Sequence, residues 1–316
     1  MTRGLYILLL VFCSTRLFGQ EKIAGVLLRT PEAQNGYTLF STVNSKITYL
    51  MDNCGRVVHT WESDYKPIHT LYLLPDGKLL RTAKLDNTVI TGGGGGGRVE
   101  LFDWDSNLLW FYEYNTDVVR MHHDVTALPN GNILILSWYL KTQDEALAAG
   151  RDPAKLTDGV IWSEQIIEIK PTAPGNGDIV WEWNAWDHLV QDFDNSKPNY
   201  DDVSLRPDRI NLNYTPDGGQ NDWIHANSLS YNPDLDQIII STPFFESYGL
   251  SITVQLRHKQ PRDREAFGVK VVISFIVGEI LQHIIREPSP TKNFSVNIGC
   301  IGLMMAFLMR ENYVFQ

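Results

Sequence analysis

Met121-His122-His123-Asp124-Val125-Thr126-Ala127-Leu128-Pro129-Asn130-Gly131-Asn132-Ile133-Leu134-Ile135-Leu136 begins with two histidines and an aspartate. An apolar-alternating segment follows, then a Pro-Asn-Gly turn and a run that reads as a buried strand. The same order recurs. His69 leads to Leu74-Pro75-Asp76-Gly77-Lys78-Leu79-Leu80, and His225 leads through Asn232-Pro233-Asp234 to Gln237-Ile238-Ile239-Ile240. A second pattern interleaves with this one: an apolar strand, an Asp/Asn-Gly turn, then a strand ending in Trp. Copies run through Arg56–Trp61, Arg98–Phe111 and Gln165–Trp183, the last turning at Gly175-Asn176-Gly177-Asp178. Repeated four-strand units of this size predict an all-β fold, a β-propeller whose blades stack radially about a channel. A β-sandwich would give similar hairpins, but it would not need histidines at the same point of successive units.

Working outward, Gly36–Phe40 and Ile47–Leu50 read as strands. Gln143–Leu156 is an Ala-rich helical insertion broken at Pro153. Gly92–Gly97 is a run of six glycines. No Lys-Ser/Thr and no helix follow it, so it reads as a flexible blade connection rather than a phosphate loop. Asp192–Gly219 is a polar loop expected to lie over one face. His59 is expected to be solvated in mid-strand, and His188 to lie in a surface loop. The abundant Trp and Tyr residues read first as blade packing.

The chain has 316 residues and a formal net charge of −10, with 43% hydrophobic and 20% charged residues. That suits a soluble globular protein and gives no basic surface for nucleic acid. Residues 1–19 read as an export signal. Arg3 precedes an apolar run from Leu5 to Phe12, and Leu17 and Gly19 suit a cleavage before Gln20. The run is too short to span a bilayer, so stable membrane insertion is not expected. The expected location is periplasmic or secreted. Cys54 and Cys300, the two cysteines left after cleavage, imply no disulfide framework.

Residues 20–246 carry the blade pattern, and residues 247–316 do not. From Ser247 the Asp-Gly turns and Trp-ended strands stop, and apolar runs such as Val271–Val277 and Cys300–Leu308 replace them. The genetic code offers an explanation. If the last base of each codon is read with the first two bases of the next, the slots Lys270–Leu281 permit a polar turn followed by a Trp-ended strand. The slots Val296–Ile298 then permit Gly-Gln-His. One frameshift near Glu246 therefore accounts for an aberrant, irregular tail, and the nucleotide sequence would reveal it.

In a propeller, equivalent inner-strand positions converge on the channel. His123 and His225 would therefore face one central pocket. Converging imidazoles act as nucleophiles, move protons or bind metals. A metal site would need a third ligand such as Asp124 or His122. A single histidine at a strand start is explained by hydrogen bonds to a turn. Three in register, with Asp124 and Asn227 adjacent, point to a site.

Gly36–Phe40, Gly55–Trp61, His122-His123-Asp124 with Leu128–Asn132, and Asp222-Trp223-Ile224-His225-Ala226-Asn227-Ser228 together resemble the bacterial arylsulfotransferases. The resemblance covers about residues 24–246. It implies an exported six-bladed propeller that needs no cofactor. The implied reaction moves a sulfuryl group from a phenolic sulfate ester to a phenol, through a sulfated histidine. By motif, His123, with His122 beside it, and His225 match supporting catalytic positions; Asp124 and Asn227, adjacent to the registered histidines, are expected to bind substrate. Two departures stand out. The family's arginine corresponds to Ser241-Thr242-Pro243, which holds none. Its nucleophilic histidine lies in a Gln-His word that the shifted frame permits at the slot of Ile298; His283, after Gln282 in the frame as given, is a poor substitute because it lies in the aberrant tail. The chain as written is therefore expected to be inactive. The alternative is a non-catalytic propeller that binds an aromatic or anionic ligand.

Overall fold

A computed structural model describes residues 26–242, other than 27, 207 and 216–220, and the backbone of two further strands at 250–255 and 271–275. The export signal expected at residues 1–19 lies outside the described residues, as does the tail apart from those two strands.

Four antiparallel sheets follow one another along the chain. β1 (Tyr37–Ser41), β2 (Ile47–Asp52) and β3 (Val57–Glu62) form the first. β4 (Pro67–Leu73), β5 (Leu79–Lys84), β6 (Gly97–Phe102) and β7 (Leu108–Glu113) form the second. β8 (Val119–Ala127), β9 (Ile133–Thr142), β10 (Val160–Ala173) and β11 (Asn176–Asn184) form the third. A short parallel pair joins β12 (Leu189–Val190), just before the polar loop, to β13 (Ile210–Asn211) within it. β14 (Ser228–Asn232), β15 (Gln237–Ser241), β16 (Leu250–Gln255) and β17 (Val271–Phe275) form the fourth. Within each four-stranded sheet, neighbours in sequence are neighbours in space, which is the meander of a propeller blade. β8 packs beside β4 and beside β14, so the first strands of three successive blades lie together. The chain is an all-β, incomplete propeller.

The repeats explain the packing. The Pro-Asp/Asn-Gly turns place Gly77 and Gly131 at φ +82° and +87°, a region glycine enters without steric cost. The Trp-ended strands clip blades together. Trp61 Nε1 donates to the Asp103 carbonyl of the second sheet (2.9 Å), and Trp110 Nε1 to the Asn176 carbonyl of the third (2.9 Å). Apolar clusters fill the gaps between blades. Leu80, Val99 and Met121 pack with Ile135 and Ile167, and Leu134 and Ile166 pack with Leu229 and Ile240.

Several sequence expectations shift. The turn expected at Gly175–Asp178 falls at Pro174-Gly175, because Gly175 adopts φ +80° and β11 already pairs from Asn176. β16 and β17 lie beyond residue 246, so the fourth sheet continues into the segment expected to be irregular. His59 is half-buried rather than solvated, its ring stacked on Trp104 at 4.3 Å and edge-on to Trp61 at 4.3 Å. His188 ends a 3-10 turn and stacks on Trp183 at 5.5 Å. The helical insertion is present as α1 (Gln143–Ala148), started by a Thr142/Glu145 capping box.

Candidate active site

β8 leaves its ladder where chemistry was expected. Met121 pairs with Ser137 and Val125 with Ile135, so His122, His123 and Asp124 together oppose Leu136. β4 does the same. Pro67 pairs with Ala83 and Leu71 with Arg81, so Ile68, His69 and Thr70 oppose Thr82. Such bulges free side chains from the pleat and re-aim them. His123 and His225 both adopt left-handed backbone, with φ at 47° and 52°. Non-glycine residues rarely hold that conformation, and it is concentrated at functional sites.

The three registered histidines meet. The His123 ring stacks on His69 at 5.2 Å and meets His225 edge-on at 5.0 Å. His122 is fully buried beneath them and lies flat on Trp138 at 3.9 Å. Its Nδ1 is 3.0 Å from His123 Nδ1, and its Nε2 is 3.0 Å from Glu164 Oε2. Burial drives the His122 pKa down to about 3, with the charges of His225 and Arg120 adding to it. Burial drives His123 down to about 2, and the neighbouring His122, His225 and His69 push the same way. Both are neutral imidazoles at neutral pH. His225 is the opposite case. Its burial disfavours charge, but its 2.5 Å contact with Asp222 and the charges of Asp222 and Glu164 outweigh that and raise its pKa. The site therefore sets neutral rings against one ring inclined to be cationic, which is how neighbouring groups take opposite roles in proton transfer.

Glu164 carried no sequence signal. It sits in the apolar run of β10, with both oxygens engaged: Oε2 with His122, and Oε1 as acceptor for the Ala226 N–H at 2.7 Å. Burial, then the charge of Asp222, raises its pKa well above the usual carboxylate range.

Asp124, read from sequence as a substrate-binding residue, has a different environment. Its Oδ1 accepts from Thr70 Oγ1 (2.8 Å), Tyr72 OH (3.2 Å) and its neighbour Val125 N–H (2.9 Å), and its Oδ2 accepts from Leu229 N–H (2.8 Å). The carboxylate ties β4, β8 and β14 together. Asn227 is half-buried. Its N–H donates to the Ser241 carbonyl (2.9 Å), while its Oδ1 has no partner among the described residues.

The glycine run is the largest departure from the sequence reading. It is a wall of the site. Gly94 accepts from the His123 N–H at 2.9 Å, and the Gly96 N–H donates to the Met121 carbonyl at 3.0 Å. A Cβ on Gly94, whose φ is +76°, would fall 2.3 Å from His123 Nε2, and one on Gly92 would fall 2.6 Å from Trp138. These positions are glycine because aromatic rings occupy the space of a side chain. The run also borders an open pocket of about 570 Å³ with Lys84, Asp86 and Arg120 in its wall. Arg120 does not stand in for the arginine that the resemblance leads one to expect at Ser241-Thr242-Pro243. Its guanidinium is held by the Leu85 carbonyl (2.9 Å) and the Ile90 carbonyl, at the base of the loop that leads into the glycines.

Among solved structures, the chain is similar to a protein of unknown function from Bacteroides caccae, with 9% identity, a TM-score of 0.32, and coverage of 75% of this chain and 77% of that one. No curated protein matches it. A family model described as Arylsulfotransferase (ASST) matches residues 20–243, which span the glycine run, the bulged histidines and the His225 segment. With that match over most of its length, the chain belongs to the arylsulfotransferase family.

Proposed function

We propose that this propeller evolved to transfer a sulfuryl group from a phenolic sulfate ester to a phenol through a sulfated histidine, and that the chain as written is inactive. The observation that carries the reading is the meeting of His69, His123 and His225 at 5.0–5.2 Å on the inner ends of three blades. In the reaction, a histidine nitrogen attacks sulfur and the bond from sulfur to the phenolic oxygen breaks. His225, inclined by Asp222 to carry a proton, suits stabilisation of charge on the sulfuryl oxygens and the departing phenolate. His123 suits a neutral hydrogen-bonding role on the same group. Family membership implies small aromatic substrates, and the residues at 1–19 support export to the periplasm or beyond.

Inactivity follows from the tail. The family match ends at residue 243, beside the inferred frameshift near Glu246; Gln282-His283 lies in the aberrant tail and is a poor substitute for the Gln-His that the shifted frame permits at the slot of Ile298. Without its nucleophile, the same cluster would serve as a binding site for an aromatic or anionic ligand. The test is to incubate this chain and its frame-restored form with 4-nitrophenyl sulfate and a phenol. Product is measured, and a sulfated histidine is sought by mass spectrometry. The frame-restored form is expected to transfer and to carry the modification. Equal transfer by both forms would refute the proposal. In the restored form, His225→Ala is expected to cut kcat about 100-fold or more, as loss of one oxyanion donor does.

A further inference from the structure

We propose that Glu164, His122 and His123 form a buried proton relay, in which a proton held on Glu164 decides whether His123 shows an N–H or a lone pair at Nε2. The geometry requires a chain of coupled choices. His122 Nε2 faces Glu164 Oε2 at 3.0 Å, and His122 Nδ1 faces His123 Nδ1 at 3.0 Å. Each neutral imidazole has one donor nitrogen and one acceptor nitrogen. When Glu164 is ionised, His122 must carry its proton on Nε2. Its Nδ1 then accepts from His123 Nδ1–H, and His123 Nε2 is left with a lone pair. When Glu164 is protonated, Oε2 donates to His122 Nε2. His122 Nδ1–H then donates to His123 Nδ1, and His123 Nε2 carries the hydrogen. His123 Nε2 makes no hydrogen bond among the described residues, so it is the open end of the relay.

The surroundings favour this arrangement. Glu164 Oε1 is fixed by the Ala226 N–H, so Oε2 alone is left to exchange. The Trp138 ring holds His122 flat, and its burial excludes water from the path. The groups that bear on Glu164 are His122 from β8 and Asp222 and His225 from the 222–226 segment; on His122, Asp222 and a hydrogen bond to the Ser137 backbone favour the protonated ring, while His225 and Arg120 oppose it. Asp222 favours a proton on Glu164, His225 opposes it, and burial favours it most. The two imidazoles resist becoming cations, so the proton crosses them by exchange of tautomers and no buried imidazolium forms.

The inference rests on the proposed sulfuryl transfer in one respect: it gives the relay a use. Breaking the donor's sulfur–oxygen bond leaves a phenolate, which takes the hydrogen of His123 Nε2. The His122 proton moves to His123, the Glu164 proton moves to His122, and Glu164 ends ionised. In the second half-reaction the acceptor phenol gives its proton to His123 Nε2, the shifts reverse, and Glu164 is reprotonated. Protons balance over the cycle with no net gain from solvent. Glu164 is thus a positioning residue that acts through two histidines.

The test reads tautomers rather than turnover, so it succeeds or fails independently of sulfuryl transfer. The chain is prepared with ¹⁵N-labelled histidine, and the ring nitrogens of His122 and His123 are followed by NMR against pH. With rising pH the two rings are expected to exchange tautomers together, through a single transition. In Glu164→Gln the side-chain oxygen keeps the Ala226 bond and the amide donates to His122, which locks His123 with its hydrogen on Nε2 at every pH. Independent titration of the two rings, or a His123 tautomer that still switches in Glu164→Gln, would overturn the relay. Should the variant fail to fold, the unsubstituted chain and its frame-restored form decide alone: a joint exchange supports the relay, and stepwise protonation to imidazolium refutes it.

Discussion

Asp124 receives four hydrogen bonds, from Thr70, Tyr72, Val125 and Leu229, and so joins the inner strands of three blades at one buried carboxylate. Removing it strands several buried donors, each of which costs about 1–3 kcal/mol when unsatisfied. Asp124→Ala is therefore expected to destabilise the fold by about 3–5 kcal/mol in urea denaturation, and Asp124→Asn by less, since it keeps one acceptor oxygen. A loss below about 1 kcal/mol for the alanine variant would mean that the blades are joined elsewhere. His225 offers a second measurement. Its pKa is raised because Asp222 outweighs burial, so its contribution to stability is fully present below the unfolded value of about 6.5 and is lost as pH rises through the folded value. Asp222→Asn leaves burial unopposed by its main partner. The His225 pKa is then expected to fall, and NMR titration of its ring reads this directly. The sequence disclosed His123 and His225 because the repeats put them in register. It could not disclose the role of Asp124, because two of its partners lie 54 and 105 residues away. Glu164 was hidden for the same reason: its contacts with His122 and Ala226 span 42 and 62 residues.

The glycine run shows how an element can be misread from composition. Six glycines in sequence suggest flexibility, yet Gly94, Gly95 and Gly96 each abut a different side chain: His123, Arg120 and Ile68. Only the presence of those neighbours distinguishes a packed wall from a loose connection, and they come from β8 and β4. The contrast with Gly93 makes this testable, because a Cβ there meets nothing within 4 Å. Gly94→Ala combines a left-handed φ with a collision on an imidazole ring. It is expected to cost about 2–4 kcal/mol, by strain and overpacking together, and to perturb the His123 ring resonances. Gly93→Ala is expected to change stability by less than about 1 kcal/mol and to leave His123 in place. Thermal denaturation with NMR of the His123 ring checks both. If the two variants behave alike, the run is a connection after all. The bulges are a second element-scale case. β4 and β8 each set three residues against one, a feature that strand patterning foretells only as a histidine recurring before a turn.

At the scale of the molecule, the blade order was legible because turn chemistry and Trp-ended strands repeat locally, whereas the link between blades is long-range. Trp61 and Trp110 each reach into the following sheet, so the first two sheets are stabilised by their successors as well as by their own ladders. A propeller gains from this only when the ring closes, because an unclosed ring leaves strands whose edges can pair with another chain. Among the described residues, β17 pairs only with β16, and β1 only with β2. The frame-restored tail would supply another Trp-ended strand, with the tryptophan at the slot of Gly278, and so a continuation of the clip. Two differences are expected. In sedimentation velocity the chain as written should associate increasingly with concentration, while the frame-restored form remains a single species. In urea the restored form should unfold in one steeper transition, since the m-value scales with the surface exposed on unfolding. A chain as written that stays monodisperse at high concentration, with the same m-value as the restored form, would show that the 247–316 segment already completes the fold. The frameshift would then have to be abandoned as the account of its sequence.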